Sequence, residues 1–582
     1  MIKTTNYELE KPELTDAVGD FPASLSTTLD IVETALTTPT ANIKGRKTAG
    51  AGKMEDLTAA DVRTLLNVAD GANAYVHPNH TGDVTSVGDG AQTIAANAVT
   101  ETKIVNKAVT LAKMADMATE SILGRKTAAT GVPEVIAKAD AKVLLDIDDL
   151  ETSSSISQDI FGAFWDKGET PTLTRLNSAK GLTFNVGLDS SMVLNEFDTS
   201  SLFADFKEVT DAYGNEFIRI PKMYIKKVSD TNYMAWYISR KKFGDAYLPY
   251  CFWDFTNGKE LDYVDVGKYP ASLSSGKLES KSGTYPLVNT NIVNFRTYAQ
   301  ANGTGYQLLD VHTLDLLQVL CLIEFGTLDV QTKCLGYTSG QYSASHVATV
   351  SESAVNRIIL ANAYSDLFAV GQGVSCGTSL GGNQVFTNRT ITSIDVYDVD
   401  NKAISFDGAA VNITAGNILY NSGYKNGSSV TSGVANIINT SGKHPFVWHG
   451  IESLWGNVYQ FVDGININEH QAWVCKDAAS YASNSFTAPY LQLSYVNGDT
   501  NGYVKSLGYD GNLPFANFPT VIGGDQVKYY ADYYYQSTGQ RIALFGGYWG
   551  NRRDAGLFCW RLGYASSNAS LDVGGRLVRK AL

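Results

Sequence analysis

The stretch that decides the fold is Leu544-Phe545-Gly546-Gly547-Tyr548-Trp549, continued by Ala555-Gly556-Leu557-Phe558, Trp560, Leu562, Ala565-Ser566-Ser567 and Gly574-Gly575-Arg576-Leu577. These apolar and glycine positions form a frame, because large apolar side chains are the usual filling of a protein core. Residues of no consistent chemistry interrupt it, namely Gly550, Asn551, Arg552, Arg553, Asp554, Cys559, Arg561, Gly563, Tyr564, Asn568, Ala569, Ser570, Leu571 and Asp572. The pattern predicts a fixed frame that carries a changeable face.

Strand alternation gives this pattern a physical basis. Side chains of successive strand residues point to opposite faces of a sheet, so Phe558 and Trp560 are expected inside with Leu562. The same alternation places Cys559 and Arg561 on the other face. Exchange of outward residues typically changes stability by about ±0.5 kcal/mol, whereas loss of a buried aromatic side chain costs several kcal/mol. An ordinary protein surface with no binding role is the competing interpretation.

Composition separates the two parts of the 582-residue chain. The length allows roughly three or four domains. Of the 8 Trp, 32 Tyr and 23 Phe residues, only Tyr7, Phe21 and Tyr75 precede position 151, so the N-terminal quarter lacks the side chains that fill a globular core. We therefore expect the globular part of the protein in the remaining three quarters.

Charge and hydropathy exclude several classes of partner. The net charge is −13 and no long Lys/Arg block occurs, which argues against nucleic-acid binding. No apolar run reaches about 18 residues, so no membrane insertion is expected, and the first residues lack the apolar core of a secretory signal. The six cysteines show no CxxC spacing and are predicted to be free thiols, most of them buried.

An internal repeat marks the N-terminal quarter. The segment Gly45–Val68 recurs without gaps 79 residues later as Gly124–Ile147, and each copy begins with GRKTA. Self-similarity of this kind is typical of an array. In the first copy Thr58 and Asp61 form a predicted capping pair for a short helix. A disordered polar linker is the alternative that composition alone leaves open.

This quarter also resembles phage tail fibres. The segments 71–85 and 122–127 are similar to stretches that recur along trimeric fibres, and residues 9–16 followed by 31–36 resemble the start of fibres that dock on the tail or baseplate. The resemblance implies an attachment segment at 1–40 and an elongated, repeat-containing trimeric shaft at 41–150. His77 and His80 are weak candidates for a metal on the three-fold axis, but Pro78 and Asn79 between them favour a plain turn.

The rest of the chain reads as a folded body after a polar neck at 151–204. Residues 217–225 alternate in the manner of a half-buried strand, and the dense leucines of 306–325 predict a buried helix. Gly456-Asn457 predicts a tight turn before an aromatic-rich strand. This order resembles the formylglycine-generating-enzyme branch of the C-type lectin fold, which implies an α+β head at 205–582.

That branch contains oxidising enzymes and ligand-binding proteins. Alignment with the copper-dependent enzymes puts Asn551 and Gly556 where their two reactive cysteines stand, and one nearby thiol, Cys559, cannot supply a two-thiolate copper site. The iron-dependent relatives use three histidines, for which the body shows no suitable spacing. The resemblance therefore implies no enzymatic activity and no cofactor, although a formylglycine-type oxidoreductase stays as an alternative.

The C-terminal motif set resembles the variable region of receptor-binding proteins diversified by retroelements, the family of the phage major tropism determinant. It implies a variable region at about 541–582, with Tyr548 and the fourteen interrupting residues named above as the receptor-binding face. Arg552-Arg553 departs from the family, which often has a small Gly-Ala type pair there.

Together these resemblances imply a homotrimeric phage tail-fibre adhesin, assembled in the host cytoplasm and carried on the virion. Its N-terminus would bind a tail or baseplate protein, and its head a glycan or protein receptor on the host cell. A bacterial surface protein diversified by the same kind of retroelement is the other binding alternative.

Overall fold

The computed structural model describes residues 2–3, 10–11, 43–68, 83–86, 92–105, 108–109, 122–124, 127, 133–136, 159–429, 436–498 and 501–582. The chain divides into two compact units, Met1–Lys138 and Ala139–Leu582. His77 and His80, most of the segment 1–40 and the second predicted repeat helix lie outside the described residues. None of the described helices is long and apolar enough to cross a membrane.

The first unit is built from short antiparallel hairpins. They pair Ile2–Lys3 with Glu10–Lys11, Ile43–Gly45 with Glu55–Leu57, Val84–Ser86 with Gln92–Ile94, and Ile122–Gly124 with Glu134–Ile136. A 3₁₀ turn covers Glu101–Lys103. The second and fourth hairpins have the same register, since Ile43 pairs with Leu57 and Ile122 with Ile136. The sequence repeat of 79 residues is thus also a structural repeat, as expected for an array.

The predicted capping pair of the first repeat is confirmed. Helix Ala59–Leu65 begins after Thr58, whose hydroxyl accepts a hydrogen bond from the Asp61 backbone, while the Asp61 carboxylate accepts one from the Thr58 backbone. This reciprocal arrangement satisfies two backbone donors at the helix start. None of the helix residues is buried, so the helix has no packed face within the described part of its unit.

The second unit is mostly β-sheet with few helices, and it includes a sheet that curls into a half barrel. In order across its largest sheet, the strands are Tyr490–Gln492, Gln471–Cys475, Tyr459–Asn468, Gln540–Phe545, Trp560–Leu562, Tyr533–Gln536, Asn501–Leu507 and Pro519–Ile522, with Val573–Gly574 beside Tyr459–Asn468. Two of the pairings are parallel, namely Tyr533–Gln536 with Trp560–Leu562 and Val573–Gly574 with Tyr459–Asn468.

Three smaller sheets complete the unit. One has the order Thr174–Asn177, Phe161–Trp165, Met234–Ser239 and Tyr224–Ser229. The next has the order Lys207–Thr210, Glu216–Pro221, Tyr263–Gly267, Leu577–Lys580 and Tyr306–Leu308. The third has the order Arg357–Ala361, Asn401–Phe406, Gly382–Val396, Gly373–Ser379 and Ile418–Asn421. All three are antiparallel.

The short elements connect these sheets. Two-stranded pairs join Trp253–Asp254 to Lys259–Glu260, Ser272–Ser274 to Lys277–Glu279, Glu352–Val355 to Val411–Ile413, and Val447–Trp448 to Ile451–Glu452. The α-helices are Ile292–Gln300, Val311–Phe325 and Asn362–Ser365, and the 3₁₀ turns are Glu196–Thr199, Tyr250–Phe252, Val330–Thr332, Ala478–Ser480 and Arg552–Asp554.

Helix Val311–Phe325 is the centre of the core. It covers most of the buried helix predicted at 306–325, but Tyr306–Leu308 forms a strand instead. All residues of the helix are buried, and the helix begins after Asp310, whose carboxylate accepts a hydrogen bond from the Thr313 backbone. It ends at Gly326, which has a φ of 66°. Glycine adopts this left-handed conformation without steric cost, so the helix stops where its sequence allows the turn.

The segment 159–206 belongs to this core, which corrects the prediction of a neck or linker at 151–204. Strand Phe161–Trp165 lies in the interior of a four-stranded sheet, and Phe197 and Phe203 are buried in the main core. Most polar residues of the segment lie at its surface, with Asn195 a buried exception. Average composition therefore does not reveal the few aromatic residues that pack inward. From residue 159 on, the described chain belongs to the folded body.

The single half-buried strand predicted at 217–225 is instead two strands, Glu216–Pro221 and Tyr224–Ser229, which lie in different sheets. Both faces of these strands are largely covered, so burial does not alternate strictly. The predicted Gly-Asn turn is confirmed. Gly456 and Asn457 have φ values of 73° and 56° and form the tight turn before strand Tyr459–Asn468. All six cysteines are free and buried.

Candidate functional site

The frame of the C-terminal segment is buried as predicted. Phe545, Trp549, Phe558, Trp560 and Leu562 lie in the core, and the ring of Trp560 packs 4.4 Å from that of Phe518 between centroids. Burial of aromatic side chains contributes several kcal/mol each. These positions are therefore the ones that the fold does not allow to change.

Arg576 explains why the frame ends in Gly-Gly-Arg-Leu. Its guanidinium is fully buried and donates hydrogen bonds to the carbonyl groups of Gly267, Glu452 and Ser453 and to the side chain of Gln460. Burial lowers the pKa of Arg576 to about 9. Because three separate segments are held by this one side chain, Arg576 fixes the chain end to the body.

Cys559 is buried, which corrects its assignment to the receptor-binding face. It precedes strand Trp560–Leu562 and packs in a second apolar cluster with Tyr459, Phe461 and Leu544. Alternation predicts exposure only where one face of a sheet meets water, and here both faces are covered. Burial raises the pKa of its thiol well above the ordinary value.

Arg561 lies among tyrosines, on the face of its strand opposite to Trp560. Its guanidinium carbon is 5.2 Å from the ring centres of Tyr535 and Tyr564 and 5.9 Å from that of Tyr459. The ring of Tyr459 in turn stacks on that of Tyr548 at 5.7 Å. A guanidinium among aromatic faces is held by cation–π attraction, so the structure brings three predicted face residues, Tyr548, Arg561 and Tyr564, into one cluster.

Two asparagines of the predicted face close turns with their side chains. The Asn551 side-chain oxygen accepts a hydrogen bond of 2.8 Å from the Tyr548 backbone, and that of Asn568 accepts one of 2.7 Å from the Ala565 backbone. Such local bonds define turns. Asn551 is half-buried and Asn568 exposed, so both shape the loops that present their neighbours.

Arg553 and Asp554 are held by the body. The guanidinium of Arg553 contacts both carboxylate oxygens of Asp329, at 2.8 and 3.1 Å, and donates to the Gln526 carbonyl. The Asp554 carboxylate accepts a hydrogen bond from the hydroxyl of Tyr503. These contacts fix the 3₁₀ turn Arg552–Asp554 to three other segments, so neither Arg553 nor Asp554 is freely exchangeable.

Arg552 is the exposed member of this turn. Its φ is 52°, a left-handed value that costs a non-glycine residue on the order of 1 kcal/mol. Glycine at this position would avoid that cost, because it has no Cβ. The side chain of Arg552 is exposed to solvent, whereas its backbone donates a hydrogen bond of 2.7 Å to the Thr338 carbonyl.

Two glycines of the predicted face are constrained by aromatic rings. A Cβ added at Gly563 would lie 2.4 Å from the ring of Tyr535, and one at Gly550 would lie 2.9 Å from that of Tyr548. Real Cβ atoms do not approach other atoms so closely, so a larger residue requires the ring to move. Replacement of Gly563 or Gly550 by a larger residue therefore requires Tyr535 or Tyr548 to move, and both tyrosines are half-buried.

The loop 568–572 carries the most open part of the face. Ala569 and Leu571 are exposed with Asn568, while Ser570 donates a hydrogen bond to the Asp572 carboxylate. Ser570 to Asp572 also line a small cavity of about 140 Å³ together with Tyr342, Tyr548 and Trp549. Substitutions in this loop and at Arg552 are therefore expected to change the stability of the fold least.

The sequence interpretation missed four tyrosines beside this face. Tyr533 and Tyr535 lie on the strand next to Trp560–Leu562, where Tyr535 pairs directly with Arg561, and Tyr503 lies on the following strand of the sheet. Tyr342 packs against Trp549 at 5.8 Å between ring centres. The run Tyr533-Tyr534-Tyr535 alternates between half-buried and buried, a period-two signal that the sequence contains. Tyr342, by contrast, is far away in sequence.

One group of potential metal ligands occurs among the described residues, namely Asp198, Glu324 and His449. The two Glu324 oxygens lie 3.0 and 3.1 Å from His449 Nε2, and one of them accepts a hydrogen bond from the Trp448 indole. The ring of Phe203 stacks on His449 at 4.1 Å. These hydrogen bonds satisfy the group, which makes it a buried structural network.

No protein-family model and no curated protein matches this chain.

Proposed function

We propose that the protein is a homotrimeric phage tail-fibre adhesin whose C-terminal, C-type-lectin-like head binds a host-cell receptor through a face diversified by a retroelement. One observation carries the proposal. In a single segment of about forty residues, the aromatic frame is buried while Arg552 and the loop 568–572 reach solvent on short turns. Such a segment changes its surface without changing its core.

Burial refines the face. Its adaptable part is Arg552 with Asn568, Ala569 and Leu571, and its aromatic part is Tyr548, Arg561 and Tyr564, with Tyr503, Tyr533 and Tyr535 beside them. Tyrosine and arginine are the residues that most often dominate binding energy at interfaces. Cys559 is not part of the proposed face because it is buried. Arg553 is not part of it either, because it pairs with Asp329.

The N-terminal unit supports a trimer. Several of its apolar side chains are exposed, with Val105 at 77%, Leu66 at 68% and Val135 at 68%. A short hairpin or helix does not bury these side chains by itself, whereas chains wound together do. The proposed attachment to a tail or baseplate protein uses the segment 1–40.

The site chemistry supports binding over catalysis. The thiol of Cys559 is buried and its pKa is raised, so it is protonated at neutral pH and is a poor metal ligand. A Cβ at Gly556 would lie 2.0 Å from Asp532 Oδ1, so a cysteine there requires a rearranged core. Three identical heads on a trimer raise the avidity of weak single contacts by about 10²–10⁴.

A graft experiment tests the proposal. Replacement of residue 552 and residues 568–572 by another set is expected to change which host strain the full-length protein binds, while the midpoint of thermal unfolding stays nearly constant. The matched control replaces exposed residues of the turn 230–233, on which no receptor contact is proposed. Unchanged host binding in the graft, or a monomer in light scattering, would contradict the proposal.

A further inference from the structure

A cleft of about 340 Å³ lies between the five-stranded sheet that contains Gly373–Ser379 and Gly382–Val396 and the C-terminal segment proposed to vary. Its walls are the loop 285–289, strands Gly373–Ser379 and Gly382–Val396, and the end of strand Ile418–Asn421. Leu571 of the variable segment lies at its edge. The volume falls in the range of small-molecule sites, roughly 300–1,000 Å³.

The cleft has an unusual charge composition for this protein. None of its lining residues is charged, although the chain carries a net charge of −13. Two other clefts, of about 530 and 510 Å³, each contain both acidic and basic side chains, for example Asp477 with Lys580, and Asp205 with Arg240. A lining without ion-pairing groups suits a neutral ligand, because a charged ligand would be desolvated there without a counter-charge.

Its polar groups are amides and hydroxyls in open positions. The side chains of Asn289 and Asn388 are exposed at the cleft and make no hydrogen bond with any described residue. Each carboxamide offers two donor hydrogens and one acceptor oxygen. A pair of neighbouring ligand hydroxyl groups, one donating and one accepting, matches such an amide.

Aromatic rings and a small hydroxyl complete the lining. The hydroxyls of Tyr285 and Thr390 share a hydrogen bond, and the hydroxyl of Tyr420, which is only 4% exposed, donates one to the Gln384 side chain. The hydroxyl of Ser422 is buried in the same wall without a partner among the described residues. Because this oxygen has almost no accessible surface, a ligand in the cleft reaches the exposed amides of Asn289 and Asn388 and the half-buried Tyr285 rather than Ser422.

The cleft continues toward the variable segment. Leu571 also lines the cavity of about 140 Å³ that contains Tyr342, Tyr548 and Trp549. The indole nitrogen of Trp549 is likewise buried without a partner among the described residues. Asn289 and Ser570 connect the two walls by a backbone hydrogen bond of 2.8 Å. The two cavities thus form two neighbouring subsites that share Leu571.

We propose that this cleft binds a neutral oligosaccharide, with sugar hydroxyls on Asn289 and Asn388 and an apolar sugar face near the half-buried Tyr285. A sugar ring has neighbouring hydroxyl groups and an apolar C–H face. Carboxamides can hydrogen-bond to the hydroxyl groups, and a tyrosine ring can pack against the C–H face. Exchange of Leu571 then alters the preference between sugars at the junction of the subsites. This inference rests on the proposed adhesin for its biological role, but the cleft itself lies mainly outside the diversified face.

The test measures binding of the full-length protein to an array of neutral hexose and N-acetylhexosamine oligosaccharides and of uronic-acid oligosaccharides. Each bound glycan is then titrated by saturation-transfer NMR. We expect neutral glycans to bind and Asn388→Ala or Asn289→Ala to weaken binding about five- to tenfold, the loss expected for one hydrogen bond. Asn232→Ala, an exposed asparagine in a distant turn, is expected to leave the dissociation constant unchanged.

The outcomes separate this inference from the proposed function. Absence of binding at millimolar glycan, binding of uronic-acid glycans alone, or equal binding by wild type and both variants would overturn the cleft assignment, even if the loop graft changes host range. Loss of glycan binding in the asparagine variants, together with an unchanged host range in the loop graft, would support the cleft and contradict the proposed diversified face.

Discussion

The guanidinium of Arg553 contacts both carboxylate oxygens of Asp329, at 2.8 and 3.1 Å, in the middle of the segment proposed to vary. Asp329 is 1% exposed, so its charge depends on this partner. Burial raises the pKa of Asp329, and Arg553 acts against that shift. A residue next to the exposed Arg552 is therefore part of the structural frame.

Replacement of Arg553 by alanine is expected to lower the free energy of unfolding by on the order of 2–3 kcal/mol, because it leaves a buried carboxylate without its cation. Arg552→Ala is the matched control and is expected to change stability by about 0.5 kcal/mol or less. Urea unfolding measures both. In the background of Asp329→Asn, the effect of Arg553→Ala is expected to shrink, and an undiminished effect would contradict the ion-pair explanation.

Arg552→Gly is expected to raise the free energy of unfolding, by at most about 1 kcal/mol, because glycine adopts the left-handed conformation of residue 552 without the Cβ clash. The flexibility of glycine in the unfolded state reduces this gain. Thermal unfolding at several scan rates provides the measurement. A clear loss of stability would show that the Arg552 side chain makes a contact of its own.

Gly556→Ala is expected to cost more than about 2 kcal/mol. The new Cβ would lie 2.0 Å from Asp532 Oδ1, and Asp532 holds the Phe558 backbone by a hydrogen bond of 2.6 Å. Gly498→Ala, at an exposed loop position where an added Cβ meets no atom within 4 Å, is the control. Equal stability of the two variants in urea would contradict the tight packing around Gly556.

Burial of Glu452 predicts a pH dependence of stability. It raises the pKa of this carboxyl from 4.5 to about 7, so the folded state retains a proton that the unfolded state releases. The contribution of Glu452 to stability is present below about pH 4.5 and is lost as the pH rises to about 7, with a magnitude on the order of 3 kcal/mol. Glu452→Gln is expected to flatten stability between pH 5 and 8, while the exposed Glu469→Gln is not. Two results would refute this role of Glu452. One is a wild-type free energy of unfolding that rises steadily from pH 5 to 8, and the other is a Glu452→Gln variant whose free energy of unfolding depends on pH as strongly as that of the wild type.

Thiol chemistry tests the core directly. All six cysteines are buried, and burial raises the pKa of their thiols. The native protein is therefore expected to react very slowly with an aromatic disulfide reagent at pH 8, and all six thiols to react after denaturation in urea. Fast labelling of Cys559 in the native protein would contradict its burial and would support its original assignment to the exposed face.

Much of the local structure is readable from the sequence. The Gly-Asn turn at 456–457, the buried helix at Val311–Phe325, the capping pair Thr58 and Asp61 and the buried positions Phe558, Trp560 and Leu562 follow from turn and capping chemistry, apolar density and strand period. These signals are local, because they depend on neighbours within one element. The neck predicted at 151–204 fails for the same reason, since its few aromatic residues pack against distant strands.

Sequence alone determined the division of the C-terminal segment into an aromatic frame and irregular interruptions. Only the tertiary structure decided which interruptions are surface. Cys559 is covered by a second apolar cluster, Arg553 pairs with Asp329 more than 200 residues away, and Leu571 lies at a cleft formed with strands Gly373–Ser379 and Gly382–Val396. Burial and charge pairing are properties of contacts between distant segments, and the period of a strand carries no information about what covers its outer face.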